Sequence, residues 1–279
     1  MPIPRHIHTF WSGPRNPIVD ACLLRMHRAN PSWTVSIHTD FAEADEVEGF
    51  ERLQLQAKTD WLRTCLIAKY GGVWLDASVV CVDSVEAWVD VHDSCVVGFE
   101  CPIGKHVLEN WAFAAVPSHP LILAWKEEFA RAIAMGFDAY KMYHASQVPK
   151  HAIHAHMPYL TMHAAYVLVH DPTLVHMRSV CDPQEGPFAY LCPYWTPNNP
   201  FRFYATLRLM LFHPRLPALL KMTGAERNIA TKALYVVPVL PGSFFHRSMG
   251  VSPSTALMLT YAVIVCAMLR RFAVTKRLR

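Results

Sequence analysis

Apolar positions between residues 55 and 70 recur at three- and four-residue intervals, a spacing that predicts an amphipathic helix. The side chains that form this apolar face are Trp61, Leu62, Cys65, Leu66 and Ala68. Thr59 or Asp60, near the start, offers a side-chain oxygen that can cap free backbone N–H groups. Gly71-Gly72 is expected to end the helix, because glycine takes the left-handed C-terminal conformation without steric cost.

A short apolar run, Val73–Leu75, follows the two glycines and predicts a strand that ends at Asp76. A carboxylate in such a run is costly to bury unless a metal ion or a cationic side chain pairs with it. Arg63 and Lys69 lie on the preceding helix, so no sequence neighbour offers Asp76 a cation, and the pattern leaves a metal ion or another cationic partner open. Asp60 and Arg63 are three residues apart and should project from one side of the helix, near the strand's end.

The chain before this helix alternates between predicted strands and a predicted helix. Residues 3–11 and 33–38 have strand-like patterns, and Asn16-Pro17 is typical of a helix start. A β-α-β start of this kind indicates a nucleotide-binding half-domain. Farther along, the pattern predicts a strand over residues 95–100, helices over residues 120–135 and 157–169, and a loop over residues 171–200.

The composition limits the class of protein. A chain of 279 residues can bury the core of one large domain, and 52% hydrophobic with 17% charged residues excludes a disordered chain. The formal net charge is +4, and five basic residues lie among the last ten positions, so the rest of the chain is near neutral. This balance argues against a nucleic-acid partner.

The eight cysteines include no C-x-x-C pair, which argues against a zinc site of that kind. Several of them lie in apolar patterns, where buried thiols are common. We therefore expect reduced cysteines and a cytoplasmic catalytic domain without a signal peptide.

Three histidines, His151, His154 and His156, fall within six residues. A zinc site needs three or four ligands that converge tetrahedrally. His151 and His154 can share a helix face, but His156 points elsewhere and no carboxylate lies at a matching offset. A histidine-dependent metal hydrolase is one interpretation of the cluster, and a helix start with partly exposed histidines is the favoured one.

Residues 254–269 are apolar and uncharged, and a basic tail follows them. As a helix they would span about 24 Å, against about 30 Å for the hydrocarbon core of a bilayer. They predict either a C-terminal membrane anchor or a buried final helix, and membrane association is favoured. We therefore divide the chain into a domain over residues 1–250 and an apolar segment with a basic tail over residues 251–279.

The stretch around Asp76 resembles the signature of sugar transferases with a D-x-D motif, namely the capsular-polysaccharide-synthesis type and glycosyltransferase family 32. Their pattern runs roughly S-D-x-x-R and then Y-G-G-x-Y/W-x-D-x-D/S/T. The matching segments here are residues 59–63 (TDWLR) and residues 70–78 (YGGVWLDAS). Ser78 stands where family 32 has a second aspartate, which is closer to the capsular type. The opening of the chain, residues 3–11 (IPRHIHTFW), resembles the I-P-K-x-I-H-x-x-W start of the same families.

The resemblance implies an α/β fold of the GT-A type, with a mostly parallel, Rossmann-like sheet flanked by helices and a helical C-terminal part. It implies transfer of a hexose or pentose from a nucleoside-diphosphate sugar to a hydroxyl of a glycan or other acceptor. Retention of anomeric configuration without a protein nucleophile is implied as well. The chain contains neither G-x-G-x-x-G nor G-x-x-x-x-G-K-[ST], so the diphosphate would be neutralised by a divalent cation, Mn²⁺ or Mg²⁺, and by basic side chains.

The resemblance also assigns roles to single residues. Asp60, Arg63 and Asp76 are the expected catalytic residues, Asp60 and Arg63 also orienting the donor sugar. Trp11 is expected to stack on the donor base and Lys221 to contact the diphosphate. The residues expected to hold the metal are Asp76, Ser78 and His246, and those expected near the sugar pocket are Glu100 and Asn110.

One alternative is a degenerate, non-catalytic module that binds a nucleotide sugar or a glycan. Ser78 favours it, because a neutral hydroxyl is a weak metal ligand. The presence of Asp60, Arg63 and Asp76 together argues against it, because a binding module does not need all three.

Overall fold

The computed structural model describes residues 1–102, 104–148, 156–192, 201, 205 and 216–228. The described strands are β1 (His6–Phe10), β2 (Thr34–His38), β3 (Gly72–Leu75), β4 (Val79–Cys81), β5 (Val96–Glu100), β6 (Leu108–Ala115), β7 (Val175–Ser179) and β8 (Leu219–Lys221). The described helices are α1 (Pro17–Ala29), α2 (Leu55–Tyr70), α3 (Pro120–Met135), α4 (Phe137–Tyr143) and α5 (Thr161–Val169).

A six-stranded sheet with the order β2-β1-β3-β6-β5-β7 forms the centre of the described chain. The pairs β1–β2, β1–β3 and β5–β7 are parallel, whereas β6 runs antiparallel to both of its neighbours. The expected α/β architecture with a mostly parallel sheet is confirmed. The loop predicted over residues 171–200 is wrong in one part, because β7 adds an edge strand to this sheet.

Side chains from the two faces of the sheet enter two different cores. Phe113 and Ala115 of β6 pack with α2, α3 and α5 on one face, whereas Ala112 and Ala114 pack into the core on the other face. A second, two-stranded sheet pairs β4 with β8 and contributes to that other core. The alternation along β6 therefore places α2 on one side of the sheet and the β4–β8 ribbon on the other.

Helix α2 begins before the residues that are predicted to cap it. Gln54 precedes its first turn, and Thr59 lies inside the helix, where its hydroxyl donates to the Leu55 carbonyl at 2.9 Å. The prediction that Thr59 or Asp60 caps the helix is wrong. The predicted end is confirmed, since Gly71 is the C-terminal cap with φ +64°.

Gly72 follows the end of α2, starts β3 and lies very close to the backbone of β1. Its φ is +91°, and a Cβ at this position would lie 2.4 Å from the His6 carbonyl oxygen of β1. Only glycine fits this approach. The close contact seats the start of β3 against β1, and β3 then leads to Asp76, which lies beside Arg63 of α2.

The cysteines include one disulfide, between Cys181 and Cys192, whose Cα atoms are 5.6 Å apart. The expectation of reduced cysteines throughout is therefore wrong for this pair. Burial raises the pKa of the Cys22 and Cys81 thiols to about 12 and that of Cys65 to about 11, so these three are poor nucleophiles at neutral pH.

Among the described residues no helix is both long and apolar enough to cross a membrane. The apolar segment 254–269 and its basic tail lie outside the described residues. The membrane anchor and the boundary at residue 250 therefore stay predictions.

We expect Gly72→Ala to destabilise the fold far more than Gly136→Ala. Both glycines have positive φ, +91° and +81°, but a Cβ on Gly136 would meet nothing within 4 Å. Backbone strain should cost each variant about 1–3 kcal/mol, and overlap with the His6 carbonyl should cost Gly72→Ala at least about 2 kcal/mol more. Urea unfolding measures both, and equal losses would show that β3 does not approach β1 this closely.

Candidate active site

Arg63 lies buried between two carboxylates. One of its terminal nitrogens, Nη2, is 3.1 Å from Asp60 Oδ1 and 3.4 Å from Asp76 Oδ1. Its other terminal nitrogen donates to the Asn110 carbonyl, and its guanidinium lies 4.9 Å from the ring centroid of Trp74. This confirms the prediction that Asp60 and Arg63 face the end of the strand that leads to Asp76.

Asp76 sits where β3 ends and is the most accessible charged group of the site, with 26% of its side chain exposed. Its backbone N–H donates to the Trp111 carbonyl at 2.9 Å, which continues the pairing of β3 with β6. The indole N–H of Trp74 donates to Asp76 Oδ1 at 3.1 Å. The carboxylate is therefore held in place with part of its surface open to solvent.

Lys221 of β8 supplies Asp76 with a second cationic partner. Its Nζ is 2.6 Å from Asp76 Oδ2 and 3.2 Å from Ser78 Oγ, and it lies 5.6 Å from the ring centroid of Trp111. The pairing of Val79 with Lys221 across β4 and β8 sets this position. The expectation that no sequence neighbour offers Asp76 a cation is wrong for Arg63, and Lys221 adds a second cation from 145 positions farther along the chain.

Asn110 joins the site from β6. Its side-chain N–H₂ donates to Asp60 Oδ1 at 3.1 Å and lies 3.4 Å from the Met162 sulfur. Glu100 takes a different place, because its carboxylate accepts the His106 backbone N–H at 2.8 Å and so holds the turn between β5 and β6. Of these two predicted pocket residues, the structure brings Asn110 to the charged cluster.

Burial and neighbouring charges shift the pKa values of the ionisable groups in opposite directions. Burial would raise the pKa of Asp76, but the charges of Lys221 and Arg63 outweigh it and hold that pKa below the ordinary value. Burial raises the pKa of Asp60, and Arg63 offsets this only in part. Burial likewise lowers the pKa of Lys221, against the opposing effect of Asp76. Ionised Asp76 therefore stabilises the fold at neutral pH, and this contribution is lost as the pH falls below the ordinary range of an aspartate.

A cleft of about 730 Å³ opens on the Asp60 end of this charge cluster. It lies between the start of α2, the turn from α3 to α4 and the segment before α5. Its polar lining residues are Arg52, Gln54, Gln56, Asp60, Asp138, His156, Tyr159 and Thr161. A volume of this size suits a small organic ligand or a sugar unit.

Trp11 follows β1 and packs against a small apolar cluster of Val19, Leu23 and Ala77. The end of β1 is therefore adjacent to the turn that holds Asp76 and Ser78. The indole N–H of Trp11 is buried and has no hydrogen-bond partner among the described residues. This position is compatible with the predicted contact to a donor base.

The residues expected to hold a divalent cation do not fit one as the structure places them. The Lys221 ammonium already bonds to both Asp76 and Ser78, and Arg63 adds a second positive charge on the other side of Asp76. One carboxylate with two cationic partners and one neutral hydroxyl are a weak ligand set for Mg²⁺ or Mn²⁺. His246, the third expected ligand, lies outside the described residues.

Of the three clustered histidines, only His156 is described. It is exposed and lines the cleft, whereas His151 and His154 lie outside the described residues. The described part of the cluster thus agrees with the favoured interpretation of exposed histidines near a helix start.

Residues 46–134 match the family model described as "Capsular polysaccharide synthesis protein". The match covers α2, β3 and β6, and it therefore includes Asp60, Arg63, Asp76 and Asn110. It confirms the resemblance to the capsular type for this part of the chain. None of the curated proteins matches the chain.

Several solved glycosyltransferase structures resemble the fold. The PaToxG glycosyltransferase is 14% identical, with 60% of this chain and 78% of that chain covered and a TM-score of 0.39. A glycosyltransferase involved in glycosylation of the major capsid of PBCV-1 is 13% identical, with 82% and 98% covered and a TM-score of 0.41. An active-site mutant of LgtC is 9% identical, with 87% and 99% covered and a TM-score of 0.41. At these scores the likenesses assign no role to any residue.

We expect Asp76→Asn to destabilise the fold, because it leaves the buried Lys221 ammonium without its carboxylate. The free energy of unfolding should fall by about 3 kcal/mol, the low end for breaking a buried ion pair, since Asp76 is partly exposed. Adding Lys221→Met should recover much of the loss. The control is Glu51→Gln, which removes an exposed ion pair with Lys58 and should cost at most about 1 kcal/mol. If Asp76→Asn unfolds like the control, Lys221 does not depend on Asp76.

Proposed function

We propose that the chain is a glycosyltransferase that moves a sugar from a nucleoside-diphosphate sugar to a hydroxyl of a glycan acceptor. The observation that supports it best is the buried series of charges from Asp60 through Arg63 and Asp76 to Lys221. The Asp60 end of this series meets a cleft, and Asp76, which lies between Arg63 and Lys221, is partly open to solvent. The match of residues 46–134 to the capsular polysaccharide family supports the same class of reaction.

The leaving diphosphate is proposed to lie against Lys221. A lysine ammonium has three donors, and Asp76 and Ser78 accept from two of them, which leaves one for a phosphate oxygen. As the bond from the anomeric carbon to the diphosphate breaks, negative charge grows on the phosphate. A fixed ammonium in a dry site stabilises this charge more strongly than water does.

The donor sugar is proposed to lie at the Asp60 end of the series. Asp60 and Asn110 place a carboxylate and an amide side by side, an arrangement suited to sugar hydroxyls. The acceptor enters the cleft, and its hydroxyl forms the new bond to the anomeric carbon. Its proton passes to the departing phosphate oxygen on the same face, so the configuration is retained without a side-chain nucleophile.

A divalent cation is the other proposed source of positive charge for the leaving group. It would need Asp76 and Ser78 as ligands, and Lys221 would have to give up its contacts to both. When bound, such a cation would act as a Lewis acid on the diphosphate. The contacts of Lys221 favour the ammonium in this role.

The second candidate function is a module that binds a nucleotide sugar or a glycan without catalysis. Ser78 supports it, because its hydroxyl bonds to Lys221 where a second carboxylate would favour a metal. Binding of a donor without any transfer or hydrolysis distinguishes this candidate from an enzyme.

We also propose that residues 1–250 form the transferase domain and that residues 251–279 attach it to a membrane surface. The apolar run and the basic tail of the sequence support this arrangement. Fractionation of cells that express the chain with and without residues 252–279 tests it, and an unchanged distribution would contradict it.

We expect a panel of nucleoside-diphosphate sugars to contain a donor that raises the melting temperature and that is slowly hydrolysed. Lys221→Met should lower turnover of that donor by roughly a hundredfold or more, whereas Asp20→Asn on the exposed face of α1 should not change it. Activity that survives a chelator would assign the leaving-group charge to Lys221 and Arg63. Activity that a chelator abolishes and Mn²⁺ restores would assign it to a metal. A donor that binds to the wild type but is never cleaved would contradict the proposed enzyme.

We expect Trp11→Ala to raise the dissociation constant of the donor roughly tenfold to a hundredfold, given about 1–3 kcal/mol for a base stacked on an aromatic ring. Trp11→Phe keeps an aromatic face and serves as the matched control, with a smaller change expected. Calorimetric titration with the donor and with its nucleoside diphosphate measures both variants. An Ala variant that binds as tightly as the wild type would place Trp11 in the apolar core alone.

A further inference from the structure

Three buried side chains, one of them on the same strand as Asn110, converge from different parts of the fold. They are Cys101, just after β5, Glu109 of β6 and His163 of α5, and they are only 7%, 8% and 5% exposed. One ligand atom from each, a sulfur, a carboxylate oxygen and a ring nitrogen, lies within 4.8 Å of the other two. Such a mixed set of polar groups is unusual in an otherwise apolar interior.

His163 gives an independent reason to look for a ligand. Both of its ring nitrogens are buried and lack a hydrogen-bond partner among the described residues. Its Nε2 faces the Glu109 carboxylate at 3.5 Å, beyond good hydrogen-bonding distance. A buried polar group left in this state destabilises the fold, so a native fold is expected to provide a partner for it.

We propose that Cys101, Glu109 and His163 bind a transition-metal ion of the zinc class. Thiolate, imidazole and carboxylate are the three side-chain ligands that zinc takes in proteins. With bonds of about 2.0–2.3 Å, two ligand atoms of a tetrahedral site lie about 3.3–3.8 Å apart. The distance of 3.5 Å between His163 Nε2 and the Glu109 carboxylate lies within this range. The Cys101 sulfur would move towards these two atoms when the ion binds.

The charges balance in such a site. The Cys101 thiol gives its proton to solvent and binds as a thiolate, so one thiolate and one carboxylate together neutralise the two charges of the ion. A neutral assembly suits a buried position. Three protein ligands leave a fourth coordination position for water. Thiolate and imidazole also favour zinc over Mg²⁺ or Ca²⁺, which prefer oxygen ligands.

A second trio, Asp93, Cys95 and His176, offers the same three types of ligand atom, but its groups already have hydrogen-bond partners. His176 is exposed, and its ring nitrogen already bonds to Asp93 at 2.7 Å. Asp93 also accepts the Cys95 backbone N–H at 2.9 Å. These groups satisfy one another, so this trio is a matched control with equivalent ligand types.

The proposed ion would tie β6 to α5 directly beside the charge cluster. Glu109 precedes Asn110, and His163 follows Met162, the residue whose sulfur Asn110 contacts. An ion held by Glu109 and His163 would therefore fix the position of Asn110 and, through it, Asp60. This proposal rests on the three ligands and not on the transferase activity.

Cobalt is the probe that tests the site, because a cobalt–thiolate bond has its own near-ultraviolet charge-transfer band. The full chain is stripped with a chelator, dialysed and titrated with Co²⁺. We expect one cobalt per chain, a thiolate band, displacement of the cobalt by Zn²⁺ and a melting temperature raised by Zn²⁺ but not by Mg²⁺. Cys101→Ser should remove the band, and His163→Ala should weaken cobalt binding roughly a hundredfold or more.

The control variant Cys95→Ser should keep the band and the affinity. Circular dichroism checks that each variant is folded, and the wild-type titration decides the question even where a variant does not fold. A wild type without a thiolate band overturns the proposal. A band that persists in Cys101→Ser, or one that disappears in Cys95→Ser, overturns it as well.

Discussion

The guanidinium of Arg63 is the group on which the rest of the site depends. Asp60 and Asp76 would repel each other if they were buried together without a cation between them. A guanidinium suits this position, because it does not lose its proton and because its planar fork donates in several directions at once. Its bonds to two carboxylates and to the Asn110 carbonyl join α2, β3 and β6 at one point. The close packing at Gly72 and the order of the sheet serve to bring these three elements together.

Much of the local structure could be predicted, because local patterns carry it. The spacing of apolar residues predicts α2, the glycine pair predicts its end, and an interval of three residues places Asp60 and Arg63 on one side of it. The start of α2 could not be predicted in the same way. Three of residues 55–59 are polar and none of the five is buried, so the apolar periodicity begins a full turn after the hydrogen-bonded helix does.

The partners of Asp76 show where sequence reasoning fails. The contact between Arg63 and Asp76 depends on how α2 packs against the end of β3, and Lys221 reaches Asp76 only because β8 pairs with β4. Both strands have three residues, and segments this short carry no pattern that specifies their pairing or register. The Cys181–Cys192 disulfide escaped prediction for a similar reason, since its spacing alone does not distinguish two thiols from a bonded pair. Contacts between distant, short elements thus limited what could be inferred about the site.

The net charge of the site determines at which stage of the proposed transfer the diphosphate would interact most strongly with Lys221. Asp60, Asp76, Arg63 and Lys221 sum to zero, so a diphosphate that approaches the open side of Asp76 meets no excess positive charge. It must compete with Asp76 for Lys221 or bring a cation of its own. Competition is weaker in the bound donor, because the oxygen between the phosphate and the sugar carries no charge, and it strengthens as the bond to the sugar breaks and that oxygen becomes negative. An interaction that grows in this way stabilises the transition state more than the bound donor, which is the condition for a faster reaction. A lysine held by a partly exposed aspartate therefore binds the donor less tightly than a lysine with no carboxylate beside it would, and more of its contact to the phosphate is gained as the leaving group forms.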